Sequence, residues 1–261
     1  MMLCGPPLNS DDIVRGCDST SMTRSKLPQF PAAGLTFLRN LKRNNRREWF
    51  LKNKQTYEDY VRQPMVEIVN ALAPEFATFA PEIEATPKVS LYRIYRDTRF
   101  SKDKSPYKTH VAAGFSHRGL AKNQGAGFYL HITPSEFLIG GGLYSPQTED
   151  LAAVRSHIAL HHKRLKSILN ARPFRRLFDG LSGEQLLRVP RGFPADHPGS
   201  DFLRRKQFLA SRLLPSDVVT SPQFGSIVLE TFRTLHPLLQ FLNEPIVRAS
   251  EVKQRRSALL H

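Results

Sequence analysis

Apolar positions follow a helical spacing in the first and last thirds of the chain and an alternating spacing in the middle. In the first third, residues 35–41 predict one helix and residues 49–61 predict a second, aromatic helix. Pro64 is expected to kink or restart this second helix before the apolar positions of residues 65–76. The Asn45–Glu48 pair has the spacing of a helix-capping pair, so we expect it to start the second helix.

The period changes to two after Pro81, which is typical of strands packed on one face. Four segments alternate in this way and predict an antiparallel sheet: residues 88–96, 109–117, 126–133 and 136–143. Pro134 and Ser135 suit a tight turn between the last two segments. A further short strand over residues 207–214 is expected to rejoin the sheet.

Helical spacing returns in the last third of the chain. Ser145 and Pro146 mark the start of a helix that reaches about Leu169, and a final helix is predicted from about Pro222 to Leu242. The predicted fold is therefore a single α+β domain, mainly an antiparallel sheet flanked by helices. We found no internal repeat and no linker long enough to separate two domains.

The two ends of the chain lack this patterning. Residues 1–26 carry few large apolar side chains, so they cannot offset the entropy of ordering, and we expect them to be disordered. The globular domain is expected over residues 27–243, and residues 244–261 read as a polar, basic tail. We expect the natural start at either Met1 or Met22, since a basic segment and then the first patterned residues follow Met22 directly.

Composition restricts the compartment and the kind of partner. The only two cysteines, Cys4 and Cys17, lie outside the predicted domain, and no apolar run is long enough to cross a bilayer. These features predict a cytoplasmic protein that needs no disulfide, metal or cofactor and does not enter a membrane. A formal net charge of +15 favours anionic partners, from phosphorylated metabolites to nucleic acid.

Positive charge is concentrated in residues 90–110. This segment contains three arginines, three lysines and one histidine against two aspartates. Arginine offers a planar fork of donors that suits phosphate and carboxylate groups, and lysine adds mobile point charges. The segment therefore predicts a site for an oxyanion, although an ion-paired loop that pins the chain to a neighbouring helix is the structural alternative.

The same segment resembles a conserved hypothetical family, domain of unknown function 2461. The family's signature is Arg-x-x-Arg-Asp-x-Arg-Phe, followed by Asp or Asn with Lys and then by Tyr. It is matched here by Arg93, Arg96, Asp97, Arg99, Phe100, Asp103, Lys104 and Tyr107. Similarity extends over residues 44–50, 127–129 and 190–193 and covers most of residues 28–243. The resemblance implies no function, because the family has none assigned.

From the residues themselves we predict a ligand-binding set around this motif. It consists of Arg93, Arg96, Arg99, Asp103, Lys104, Tyr107, Lys108 and Tyr129. Asp97 lies between two arginines, so we expect a depressed pKa and a role in orienting guanidinium groups, with general-base catalysis as the alternative. Arg93 and Arg96 would lie on opposite sides of a regular strand, so their convergence requires a bulge or turn.

Strand alternation adds two histidines to the candidate site. Val111, Ala113 and Phe115 share one face of their strand, which leaves His110 on the other face. In the next strand, His131 lies with Tyr129 on the face opposite the apolar residues. One sheet face is therefore expected to be packed, and the other to present His110 and His131 as candidate acids or bases among small residues.

Two other functional classes fit the sequence. The basic segment could join the basic helix after Leu151 in one continuous track for nucleic acid, with Tyr92, Tyr95 or Tyr129 stacking on bases. Alternatively, the basic face docks an acidic protein without catalysis.

Two other motifs do not predict a site. The glycines 140–142 lack the Lys-Ser/Thr of a phosphate-binding loop, and His161-His162 lacks the spacing of a zinc helix.

Overall fold

The computed structural model describes residues 27–121 and 124–258. The predictions made for residues 1–26, including the choice between Met1 and Met22, lie outside the described residues. The helices are α1 (Ala32–Arg43), α2 (Arg47–Lys52), α3 (Lys54–Tyr57), α4 (Gln63–Phe79), α5 (Pro87–Ser90), α6 (Thr148–Asn170), α7 (Arg172–Leu177), α8 (Ser200–Leu203) and α9 (Phe224–Ala258). The strands are β1 (Val111–Phe115), β2 (Gly127–Ile132), β3 (Glu136–Leu143) and β4 (Phe208–Pro215). A π-helical turn, Glu58–Arg62, joins α3 to α4, and a 3-10 turn, Ser216–Thr220, follows β4.

The four strands form one antiparallel sheet in the order β1-β2-β3-β4. Each strand pairs with its neighbour in sequence, and the register aligns Phe115 with Phe128, Tyr129 with Gly140, and Gly140 with Ser211. Helices flank this sheet, which confirms the predicted single α+β domain. No helix in the described ranges has the length and apolar character needed to cross a membrane.

The predicted strand over residues 88–96 was wrong. Pro87, which suits the first turn of a helix, starts the short α5, and the chain then runs extended beside β1. This extended segment makes only isolated bridges, from Leu91 to Ala113 and from Tyr95 to Tyr107. Its neighbour Pro106 accepts a hydrogen bond from the Arg96 N–H but has no N–H to return, so a regular ladder cannot continue there.

The core lies between the sheet and α4 and α9. Strand alternation directs Phe115 and Phe128 toward the helices, as predicted, and both are almost fully buried. The ring of Phe232 from α9 stacks on Phe128 with centroids 4.6 Å apart, and it also contacts Phe115 at 5.9 Å and Phe76 from α4 at 5.8 Å. This cluster of four phenylalanines fixes which sheet face is packed.

Two helix boundaries differ from those predicted. Helix α6 begins at Thr148 rather than at Ser145. Helix α9 continues through Pro237 and Pro245 to Ala258, so residues 244–258 extend the last helix instead of forming the predicted tail. Ile246, one residue after Pro245, is fully buried, and burial of its side chain stabilises the helix beyond this proline.

We predict that Phe232→Ala lowers the free energy of unfolding by about 3–5 kcal/mol, because the variant leaves a cavity among three other phenylalanine rings. Urea denaturation measures the change. Leu187→Ala is the control, since Leu187 is 96% exposed and its truncation should change stability by less than about 0.5 kcal/mol. Equal stabilities for the two variants would contradict this account of the core.

Candidate functional site

The basic motif lies beside the first strand of the sheet and then leaves it as a loop. The Tyr92 N–H donates to the carbonyl of Ala112 at 3.1 Å, and the Lys108 N–H donates to the carbonyl of Ile94 at 2.7 Å. These bonds hold residues 91–96 against the chain that leads into β1. Residues 97–105 form a loop that follows this hydrogen-bonded segment.

Two ion pairs connect charged motif residues in and next to this loop. The Arg96 guanidinium pairs with Asp103, and Arg99 forms a fork on Asp97, with Nε at 3.0 Å from Oδ1 and the terminal nitrogen at 2.7 Å from Oδ2. Hydrogen bonds from Arg99 lower the pKa of Asp97, and hydrogen bonds from Arg96 and then Ser105 lower the pKa of Asp103. Both carboxylates are therefore ionised at neutral pH, and Asp97 lies where it orients a guanidinium, as the motif predicted.

Lys104 makes a further hydrogen bond within the same loop. Its ammonium group donates to the carbonyl of Thr98 at 3.0 Å. Arg96, Arg99 and Lys104, three of the predicted ligand-binding cations, thus have partners within the loop. Neither Arg93 nor Lys108 forms an ion pair with a carboxylate in the described part of the chain.

Tyr107 is a core residue, only 3% exposed, rather than an open hydroxyl donor. Its ring stacks on Phe50 with centroids 4.1 Å apart, and burial raises the pKa of its hydroxyl. Asn45 clamps the Tyr107 backbone by donating to its carbonyl at 2.9 Å and accepting from its N–H at 3.1 Å. Asn45 therefore makes no side-chain cap with Glu48, and the predicted capping pair was wrong.

The open face of the sheet brings together side chains from three segments. His110 precedes β1, and its ring centroid lies 5.3 Å from that of His131 on β2. The Nδ1 atom of His131 lies 3.2 Å from the hydroxyl of Tyr129, within hydrogen-bonding distance. Tyr92 approaches Tyr129 edge to face at 6.1 Å, and the ammonium of Lys108 lies 5.4 Å from the centre of the Tyr92 ring. We call these five residues the sheet-face cluster.

Glycines flank Tyr129 on this face of the sheet. In the sheet register Tyr129 lies between Gly114 on β1 and Gly140 on β3. A β-carbon on Gly114 would come within 2.9 Å of the Tyr92 hydroxyl, so this glycine is what allows Tyr92 to lie over β1. The predicted combination of polar side chains with small neighbours is therefore present on the face opposite the phenylalanine core.

The cluster holds its histidines neutral. Burial, followed by repulsion from His131 and Lys108, lowers the pKa of His110 from 6.5 to about 4. Burial also lowers the pKa of His131. Burial and the neighbouring Arg93 lower the pKa of Lys108, whereas burial raises the pKa of Tyr129 to about 12. At neutral pH the cluster thus offers neutral imidazoles, which can accept a proton, and protonated phenols, which can donate a hydrogen bond.

Residues 33–241 match the family described as Conserved hypothetical protein (DUF2461). The match covers most of the chain, including the whole basic motif. The chain belongs to this family. No curated protein matches the chain significantly.

In this DUF2461 protein, the sequence analysis placed both histidines and Tyr129 on the face where the structure has them, but it did not place Tyr92 there. The sequence analysis named Tyr92 only as a side chain that could stack on nucleic-acid bases. The regular strand expected for residues 88–96 gave no reason to place Tyr92 beside Tyr129. The signal was Gly114, a glycine inside a predicted strand, which often marks a close approach by another group. No group of three His, Cys, Asp or Glu side chains within the described ranges is placed to hold a metal ion.

We predict that His110 titrates with a pKa near 4, well below the ordinary value of 6.5. Its unfavourable protonation in the folded state makes stability fall as the pH drops from about 6.5 to about 4, because the unfolded chain binds the proton first. NMR titration of the imidazole resonances measures the pKa, with His110→Gln to assign the signal. The same variant should lose less stability across this pH range, and a measured pKa at or above 6.5 would contradict the burial of His110 on the sheet face.

Proposed function

We propose that the protein binds a small molecule carrying a phosphate or carboxylate group on the open sheet face. The observation that supports this most directly is the position of Lys108 and Arg93. Burial and then repulsion from Arg93 lower the pKa of Lys108, and Lys108 forms no ion pair with a carboxylate in the described residues. A bound oxyanion would relieve this repulsion and supply the missing counter-charge.

The neighbouring groups suit such a ligand. The Tyr129 phenol can donate a hydrogen bond to an anionic oxygen, and His110 and His131 can accept protons from a ligand hydroxyl. If the protein is an enzyme, these histidines are the candidate bases, whereas Asp97 is a weak base because Arg99 stabilises its ionised form. The loop cations Arg96, Arg99 and Lys104 then position the loop and raise the local positive potential.

A second candidate function is binding of nucleic acid. Phe100 at the loop is 93% exposed, and the Arg99 guanidinium lies 5.7 Å from its ring centre. Tyr95, at 53% exposed, belongs to the same basic segment. Exposed rings next to cations are the combination on which unpaired bases stack.

A cytoplasmic location is part of the proposal. Only two cysteines occur, at positions 4 and 17, and neither belongs to the described residues that form the core. Phosphorylated metabolites and nucleic acid, which are the ligands of the two candidate functions, are both abundant in that compartment.

We predict that Lys108→Ala weakens binding of orthophosphate, a sugar phosphate or succinate by at least about tenfold, the usual effect of losing a charge-assisted hydrogen bond. Isothermal titration calorimetry at two salt concentrations measures the affinities. Arg99→Ala is a matched control, since it removes the same charge from a side chain that is 77% exposed and already paired with Asp97.

The control variant should bind within about twofold of the unsubstituted protein once salt screens long-range effects. Equal losses in the two variants would show that net charge attracts the anion without a defined site. An unchanged affinity in Lys108→Ala would reject the sheet face as the location.

A further inference from the structure

Strand β4 lies at one edge of the sheet, where it pairs with β3 on its inner side. Another part of the chain covers the first half of its outer side. Leu209 and Ser182 exchange both backbone hydrogen bonds there, with N–O distances of 2.7 and 3.3 Å. Two residues before Ser182, Gly180 has a φ of 131°, which lies outside the extended region, so the covering segment turns away. The second half of β4 therefore has no covering strand in the described part of the chain.

Strand alternation identifies the backbone groups along this uncovered half. Successive residues direct their N–H and C=O groups to alternate sides of a strand, so Ser211 and Leu213 direct theirs outward, as Leu209 does. Neither residue forms an outward backbone hydrogen bond to any residue that the structure describes. Both side chains are exposed, that of Leu213 to 59%. An exposed edge of this kind is a template on which a further strand can pair.

The side chains at the uncovered half restrict which strand fits. Arg212 lies between the two outward residues and points to the helical side of the sheet, where its guanidinium donates to the Thr231 hydroxyl at 3.2 Å. It forms no ion pair with a carboxylate within the described ranges. On the open face, Leu213 lies beside Leu138, its partner on β3. The edge thus combines an arginine on one face with an apolar pair on the other.

A second copy of the chain is a poor partner for this edge. The two-fold pairing that uses all four outward groups joins Ser211 of each copy to Leu213 of the other. The same pairing places the two copies of Arg212 directly opposite each other, and like charges in that position destabilise a sheet. Each copy also carries a net charge of +15, so the two copies repel. Charge therefore favours a partner with acidic side chains.

We propose that the uncovered half of β4 binds an extended segment of a partner protein in which acidic and apolar side chains alternate. The segment adds a strand to the sheet, and its backbone bonds to Ser211 and Leu213. An acidic side chain lies opposite Arg212, since cross-strand neighbours have β-carbons about 5 Å apart, and the flanking apolar side chains lie on the face of Leu213. This edge is the one opposite β1, so the inference does not depend on the proposed oxyanion site.

The test uses the full chain and three capped peptides of seven residues. The first peptide is Thr-Val-Glu-Val-Glu-Val-Thr, the second has lysine in place of both glutamates, and the third is the first with its three valine amides methylated. These valine N–H groups are the ones that face β4 when a glutamate lies opposite Arg212. We expect the glutamate peptide to bind at least about tenfold more tightly than the methylated peptide and at least about fivefold more tightly than the lysine peptide. Isothermal titration calorimetry measures the affinities.

Two substitutions at one position separate the backbone from the side chain. Leu213→Pro removes an N–H that points away from β3, so it leaves the ladder with β3 intact and should weaken the glutamate peptide at least about tenfold. Leu213→Ala is the matched control, because it shortens the same side chain but keeps the N–H, and it should cost about threefold at most. Arg212→Gln should reduce the preference for the glutamate peptide over the lysine peptide by about fivefold.

Several outcomes would overturn the inference. They are failure of the glutamate peptide to bind, an unchanged affinity after valine methylation, and equal affinities for the glutamate and lysine peptides. A chain that is dimeric in analytical ultracentrifugation, with Leu213→Pro monomeric, would also overturn it and assign the edge to a second copy. If Leu213→Pro does not fold, the methylated peptide still decides, because that comparison leaves the chain unchanged.

Discussion

The stacking of Phe232 on Phe128 is the contact on which the candidate site depends. It buries one face of the central strands under α9, and side chains alternate between faces along each strand. Tyr129 and His131 must therefore lie on the opposite face. A slip of one residue in the register of β2 would exchange the two sets and bury the polar groups against the helix.

This dependence explains which parts of the structure were predictable. Alternation in β1 and β2 is local and strict, so the sequence predicted both strands, their faces and the position of Tyr129 opposite the apolar face. The segment 88–96 also alternates, yet its partner contains Pro106, which cannot complete a ladder. The clamp of Asn45 on Tyr107 joins residues 62 positions apart, and no local pattern distinguishes it from a helix cap.

Charge pairing was the least predictable feature of the site. The excess of cations in residues 90–110 indicated an anion, but composition does not identify which cations have partners. The loop conformation brings Asp103 to Arg96, seven residues away, and turns Asp97 back onto Arg99. These contacts pair Arg96 and Arg99 with carboxylates inside the motif, whereas Lys108 forms no such ion pair in the described residues, which is why the proposal places the anion at the sheet face.

The most direct measurement is chemical-shift mapping by NMR during titration with orthophosphate. The account predicts that the imidazole signals of His110 and His131 and the backbone signals of Lys108 and Tyr129 shift together and saturate, and that the pKa of His110 rises as the anion binds beside it. Shifts confined to the basic residues 204–206 or to α6, with the sheet face unchanged, would contradict it.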